Sequence, residues 1–319
     1  MVAILFILTL SLVIFPCLIS YKIQKYGIKF KFCKLCAIFE GCLYYRCMKL
    51  AVYIGKDSEE HNGRVSELFM NLRESGVQLY ELAYGEAPLP DTDMLVSVGG
   101  DGTFLYSSNL VLDSGIPVVG VNVGRVGFLS ENRPEDVAEA LLKGEYSIEN
   151  RSILKVCATS SDSNQSWYDY ALNEITVHRT GAAMLGVDVD LDGVKLPTYW
   201  ADGLVVSTSS GSTAYSLSVG GPIVLPESKV LIIAPIAPHN LNIRPLVVPN
   251  SSVLTLKMHS RDGKFALTAD NRTMEVGEGV ELSIKVAQFS LRRVRLNKSN
   301  FITALTEKLH WGEDVRNIR

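Results

Sequence analysis

From Met48 onward the chain has a single cysteine, Cys157; the other five, Cys17, Cys33, Cys36, Cys42 and Cys47, all precede it. One thiol closes no internal disulfide, which suits a reducing cytoplasm. The same stretch is poor in positive charge. Six of the 31 basic residues but only one of the 34 acidic ones lie before Met48, so the remainder carries −8 against −3 for the whole chain. Nucleic acid finds no broad electrostatic footing on such a body and is set aside as a partner. Familiar site signatures are missing as well. There is no G-x-x-x-x-G-K-[ST] and no G-x-G-x-x-G, which removes a P-loop and the usual dinucleotide fingerprint. The histidines at 61, 178, 239, 259 and 310 are scattered without an H-E-x-x-H, and no G-x-S-x-G elbow is present. Cys33-x-x-Cys36 lacks a second C-x-x-C, so no metal held by the protein alone is expected.

Apolar sequence is plentiful at the amino end. "MVAILFILTLSLVIFPCLI" is interrupted only by Thr9 and Ser11 and is followed by Lys22 and Lys25. Its length just spans a bilayer, and the lysines would hold that end in the cytoplasm. A cleaved signal peptide fits less well, because no positive charge comes first. Met48 stands directly before "KLAVYIG", where charge, cysteine and aromatic content all change. Residues 1–47 therefore read as an extension, either a membrane anchor or sequence ahead of the true start. A membrane is a partner only in the first case.

Residues 48–150 alternate strand and helix signals, which predicts an α/β domain on a parallel sheet. Strands are expected at 49–55, 77–83, 94–98 and 116–122, and helices at 63–76, 103–115 and 134–144. Residues 151–296 give repeated short apolar segments parted by Asp192-Gly193, Asp262-Gly263 and Glu278-Gly279. That pattern predicts an all-β, sandwich-like domain. The tail, 297–319, contains a helix with Phe301, Leu305 and Leu309 on one face, which must bury itself on the first domain.

Three stretches carry chemistry. "SVGGDGTFL" (97–105) brings a strand into a helix through Gly99, Gly100, Asp101, Gly102 and Thr103. Backbone amides and a helix amino terminus suit phosphate there. Asp101 repels phosphate, so it makes sense as a proton acceptor or as the partner of a phosphate-bridging metal. In "YALNEITV" (170–177), Asn173 and Glu174 interrupt an apolar strand. Left unpaired, each neutral group would cost about 1–3 kcal/mol, and ribose hydroxyls would satisfy them. The loop from Asp202 to Pro222 adds Ser210, Thr213 and Tyr215, able to hold a base and a sugar.

In this order, with "GRVGFLSE" (124–131), "APHNLNIRPLVVP" (237–249) and "LHWGEDVR" (309–316), the chain resembles the NAD kinases from about Met48 to its end. The turn alone is shared with phosphofructokinases and diacylglycerol-type lipid kinases; the combination is specific. The resemblance implies a Rossmann-like α/β domain, a mostly-β domain and a returning tail. It implies transfer of the terminal phosphoryl of ATP, with Mg2+, to the 2′-hydroxyl of the adenosine ribose of NAD. Asp101 would act at that hydroxyl, with Gly99, Gly100, Gly102 and Thr103 along the phosphates. Arg125 would bind the nucleotide and Phe128 would wall the pocket. Asn173 and Glu174 would hold adenine and ribose. Asp202 and the Ala214 backbone would take the carboxamide, and Ser210, Thr213 and Tyr215 the adenine side, in a homodimer or homotetramer. No task follows for His239 or Arg244, nor for Asp270, because Asp270-Asn271-Arg272 stands where the family often has Asp-Gly. A membrane-tethered lipid kinase and a non-catalytic NAD(P) sensor are the two other readings.

Overall fold

The computed structural model describes residues 36–39, 42–45, 47–56, 62–124, 127–160 and 166–312. Up to Arg46 it gives one antiparallel hairpin, β1 (Cys36–Phe39) on β2 (Cys42–Tyr45). The apolar run from Met1 lies outside the described residues. Among the described residues, no helix is long and apolar enough to cross a membrane.

From Cys47 a second unit begins with four parallel strands, β3 (Lys49–Ile54), β4 (Gln78–Glu81), β5 (Met94–Val98) and β6 (Val118–Val121), ordered β4-β3-β5-β6. Every residue of β5 is buried, as a central strand covered on both faces must be. Helix α3 (Pro134–Lys143) falls within its expected span, whereas α1 (Asn62–Glu74) begins one residue and α2 (Asp101–Val111) two residues earlier than expected. Pro134 opens α3 with its φ already helical, and Gly144 closes it at φ 68°.

Strands then follow almost without interruption: β7 (Tyr146–Ser160), β8 (Ser166–Ala171), β9 (Glu174–Arg179), β10 (Leu185–Leu191), β11 (Val194–Lys195), β12 (Tyr199–Ala201) and β13 (Gly203–Thr208). After the short helix α4 (Tyr215–Ser218) come β14 (Val230–Ile236), β15 (Leu246–Pro249), β16 (Leu254–His259), β17 (Lys264–Ala269), β18 (Arg272–Gly277) and β19 (Val280–Leu296). The last helix is α5 (Phe301–Leu309). One antiparallel sheet has the order β15-β14-β13-β9-β17-β18. The other runs β11-β10-β16-β19-β6-β5-β3-β4, with β7 also on β19. Strand β19 thus joins both parts of the fold. Its early residues pair with β16, and after a register shift between Val286 and Ser290 its Arg293 pairs in parallel with Val118 of β6.

Between the two sheets lie Leu154, Val156, Ile175, Val177, Val187, Leu204, Val206, Leu256, Phe265 and Leu282, all buried. Each such side chain contributes about 1.5–3 kcal/mol. A second core under α2 gathers Ala51, Leu95, Phe104, Val118, Leu129, Leu172 and Leu291. Helix α5 returns to the loop after β6, where the Phe301 ring lies 6.1 Å from that of Phe128. Its buried face is carried by Ala304 and Leu305, whereas Leu309 is 37 % exposed.

Where β19 meets β6, Arg293 is buried and pairs with Glu131 at 2.6 Å and Glu149 at 3.3 Å. Glu149 also accepts from Arg151 at 2.5 Å and Arg295 at 2.7 Å. Burial opposes ionisation of Glu149, but Arg151, Arg293 and Arg295 together hold its carboxyl below the ordinary value. Removing Arg293 would strand Glu131, so Arg293→Met is expected to lose about 3–5 kcal/mol of stability in urea unfolding. A loss below about 1 kcal/mol would show that the cluster does not fasten β19 to the loop.

Candidate active site

Strand β5 ends in a turn that only glycine can make. Gly99 has φ 148°, and a Cβ there would lie 2.4 Å from Thr103 Oγ1. Helix α2 starts at Asp101, so the amides of its first turn, Asp101 to Thr103, have no acceptor one turn earlier within the helix. They border a cleft of about 320 Å³ lined by Tyr53, Gly55, Lys56, Gly100, Gly102, Thr103 and Tyr106. The Tyr106 ring lies 4.7 Å from Tyr53 and stacks on Tyr84 at 4.9 Å. Its hydroxyl accepts from the Gly85 N–H at 2.6 Å. Amides, a lysine and an aromatic wall make this a place for a phosphorylated, flat-ringed ligand. Gly100, Gly102 and Thr103 were legible in the sequence; Lys56, Tyr53 and Tyr106 were not.

Asp101 does not point freely into solvent. Its Oδ2 accepts from the Phe128 N–H at 2.8 Å, and its Oδ1 from Leu129 at 3.0 Å and Ser130 at 2.9 Å. Gly127 permits this approach, since a Cβ there would lie 1.8 Å from Oδ1. Ser130 Oγ donates back to Gly99 O at 2.6 Å, and Arg293 donates to Leu129 O at 3.2 Å. The segment from Gly127 to Glu131 is thereby clamped against the turn from both sides. A carboxylate has about four lone-pair directions, and the amides use three, so Asp101 keeps capacity for one more partner. The Phe128 ring turns toward α5, with Lys308 Nζ 4.2 Å from its centroid. Arg125 lies outside the described residues.

The second locus is built by a similar device. Asp270, at φ 50°, accepts from the N–H groups of Leu172 at 2.8 Å, Asn173 at 2.8 Å and Glu174 at 3.2 Å. Thr208 N–H and Ser207 Oγ both donate to Asn173 O, at 2.8 and 3.2 Å, tying the end of β13 to the start of β9. The backbone is satisfied while the side chains are not. Asn173 Oδ1, Glu174 Oε2, Ser210 Oγ and Ser216 Oγ are buried with no hydrogen-bond partner among the described residues. Burial first, then the nearby Asp270, push the Glu174 carboxyl up to about 8, against a hydrogen bond from the Tyr215 backbone. Glu174 is therefore mostly neutral at pH 7 and offers both a donor and an acceptor. Thr213 and Ala214 are half-buried beside it, and the Tyr215 ring is exposed. Leu172, just before Asn173, packs in the same core as Phe104 and Leu129, so both loci rest on one foundation.

Asp202 is not part of this gathering. It precedes β13 at the end opposite Ser207, the residue that faces Glu174, roughly 16 Å away at ~3.3 Å per residue. There its Oδ1 accepts from Arg179 Nε at 2.6 Å. That hydrogen bond holds the Asp202 carboxyl below its ordinary value, with a smaller pull from His239. Arg244 only donates to the carbonyls of Leu241 and Ile243. Sequence reading missed Asp270 and Arg293 as organisers of the site. Their partners lie 96 or more residues away along the chain, beyond the reach of any local pattern.

Two family models match the chain, the ATP-NAD kinase N-terminal domain over residues 55–146 and the ATP-NAD kinase C-terminal domain over 172–296. An NAD kinase of Flavobacterium psychrophilum is 42% identical over 229 residues, 70% of this chain and 78% of that protein. One from Porphyromonas gingivalis is 38% identical over 290 residues, covering 84% of this chain and 99% of its own. Among solved structures, yeast NADH kinase complexed with NADH aligns with a TM-score of 0.77 at 25% identity, over 86% of this chain and 90% of that one. An NAD kinase from Archaeoglobus fulgidus in complex with ATP aligns at 0.66 and 29% identity, over 82% and 99%. Fold and sequence agree: the chain belongs to the NAD kinase family.

Proposed function

We propose that this chain transfers the terminal phosphoryl group of ATP to the 2′-hydroxyl of the adenosine ribose of NAD, giving NADP. The observation that carries the reading is the set of buried, unpartnered atoms at Asn173, Glu174 and Ser210. Orphaned polar groups in a native fold are costly, and a hydroxyl-rich nucleoside satisfies all three at once. Neutral Glu174 donates to one ribose or base acceptor and accepts from a hydroxyl, while Thr213 and Tyr215 complete the adenine side. Gly99, Gly100, Gly102 and Thr103 lie along the phosphates. ATP occupies the cleft beside Tyr53 and Tyr106, with Lys56 at its phosphates. Asp101 takes the 2′-hydroxyl proton on its remaining lone pair as the oxygen attacks, and the amide clamp fixes that lone pair's direction. Positioning and charge neutralisation are most of the work in such a transfer.

Among the described residues no three His, Cys, Asp or Glu side chains gather as a metal cage. A magnesium ion carried on the phosphates, with waters completing its shell, needs no such cage and leaves the remaining lone pair of Asp101 to the hydroxyl. When bound, the ion neutralises phosphate charge. Chelation with EDTA is expected to abolish turnover and excess Mg2+ to restore it. Asp202 can join the acceptor site only from another copy of the chain. Exposed Trp200 and Leu241 near it, at 43 and 81 %, suit a homodimer or homotetramer contact. The single body cysteine suits a cytoplasmic location. Incubation of the protein with NAD, ATP and Mg2+, followed by enzymatic detection of NADP, tests the reading. No NADP with a diacylglycerol product would favour a lipid kinase, and tight NAD binding without turnover a sensor.

A further inference from the structure

Helix α5 brings Lys308 to the edge of the Asp101 clamp. Its Nζ is buried, has no hydrogen-bond partner among the described residues, and stands 4.2 Å from the centroid of the Phe128 ring. The N–H of the same Phe128 holds Asp101 Oδ2. Lysines that serve only packing extend their ammonium to water or pair it with a carboxylate, because an unpaired buried charge is expensive. Lys308 does neither. Its charged neighbours are Asp101 on α2, Glu131 on the clamped loop, Arg293 on β19 and Glu307 on its own helix. Asp101 is already occupied by three amides, and Glu131 is paired with Arg293 at 2.6 Å. Among the described residues the charge of Lys308 thus rests on the Phe128 ring face and is neutralised by no carboxylate of its own. Burial pushes its pKa below that of an ordinary lysine, and Asp101 pulls most strongly the other way.

We propose that Lys308 supplies the positive charge that meets the phosphoryl group in flight beside Asp101, so that the carboxy-terminal helix is part of the catalytic apparatus. The inference rests on the phosphoryl-transfer reading above. In that step the 2′-oxygen forms a bond to the terminal phosphorus as the bond from phosphorus to the bridging oxygen breaks. ADP leaves with that electron pair, and the hydroxyl proton passes to Asp101. Lys308 remains an ammonium throughout, offsetting charge on the transferred oxygens as the cations of other phosphoryl-transfer sites do.

The test uses the full chain with NAD, ATP and Mg2+. Lys308→Met keeps the apolar stem and the contact with Phe128, and is expected to lower kcat by roughly 10²–10³-fold, the cost of removing one transition-state donor. The KM for NAD should change less than about threefold, as befits an interaction made in the transition state. Lys308→Arg is expected to recover kcat to within about tenfold of the parent. The alkaline fall of kcat, set by deprotonation of Lys308, should move beyond reach in the arginine variant, whose guanidinium does not titrate there. A helix that merely covers Phe128 would not move that limb. A methionine variant with kcat within threefold of the parent overturns the proposal, as does an arginine variant with an unshifted alkaline limb. Should the methionine variant fail to fold by circular dichroism, the limb in the arginine variant decides alone. An unsubstituted protein that makes no NADP would sink the functional reading itself, a different outcome from an active parent with indifferent variants.

Discussion

Asp101→Asn should bind NAD within about threefold of the parent while its kcat falls by at least a hundredfold, since general-base catalysis typically contributes 10²–10⁴-fold. The side chains at Asn173, Glu174 and Ser210, proposed to receive the nucleoside, do not hydrogen-bond Asp101, so affinity has an independent source. Asparagine retains one accepting oxygen but presents an NH2 where the clamp offers N–H donors. At least one of the bonds from Phe128, Leu129 and Ser130 is then lost. An orphaned buried donor costs about 1–3 kcal/mol, so a modest fall in Tm should accompany the kinetic defect. Calorimetric NAD titration beside steady-state kinetics separates the two effects. If the variant keeps more than about a tenth of the parent kcat, the carboxylate holds the loop and nothing more.

Glu174→Gln should be more stable than the parent and less active. The carboxyl titrates near 8 in the folded protein against 4.5 for the unperturbed group. Below about pH 4.5 both folded and unfolded states hold the proton, and pH has no effect through this group. Between 4.5 and 8 the unfolded chain ionises while the folded one does not, so stability is progressively lost as pH rises and levels off above 8. Glutamine does not titrate. Its advantage should therefore grow across that window to about 2–4 kcal/mol by pH 8, allowing for partial solvent access at 1.36 kcal/mol per pKa unit. Urea unfolding at pH 5, 6.5 and 8 measures it. The KM for NAD should rise by up to about tenfold, because the NH2 of glutamine cannot accept and at most one neutral hydrogen bond of about 0.5–1.5 kcal/mol is lost. Strain retained at a site and relieved by substitution is the usual sign of function held against stability. A stability difference that stays flat from pH 5 to 8 would contradict the assigned environment of Glu174.

The parts of this site that the sequence announces are those whose physics is local. A glycine turn between a buried strand and a helix is written in consecutive letters, from Gly99 to Thr103. A polar pair inside an apolar strand, Asn173-Glu174, is equally visible, and the structure buries both, leaving one oxygen of each unpartnered among the described residues. Helix limits followed Pro134 and Gly144 for the same reason. What escaped is set by distant pairing. Asp270 organises residues 172–174 from the end of the neighbouring strand β17, although no task followed for it from the sequence. Arg293 grips the loop after β6 because β19 runs through both parts of the fold, a continuity that the change in pattern near residue 150 does not disclose. Lys308 carries no signal of its own in the sequence, and the packing of α5 beside Phe128 buries its ammonium. Asp202 lies close to Ser207 in sequence, yet an extended strand carries the two apart.

A crystal structure of the protein with NAD and a non-hydrolysable ATP analogue tests the central claim most directly. The account expects the adenosine 2′-oxygen within hydrogen-bond reach of the Asp101 carboxylate, ~2.6–3.2 Å, with the ribose and adenine satisfying Asn173, Glu174 and Ser210. A complex in which the nucleoside leaves those three atoms unpartnered, or carries its 2′-oxygen well away from Asp101, would contradict it.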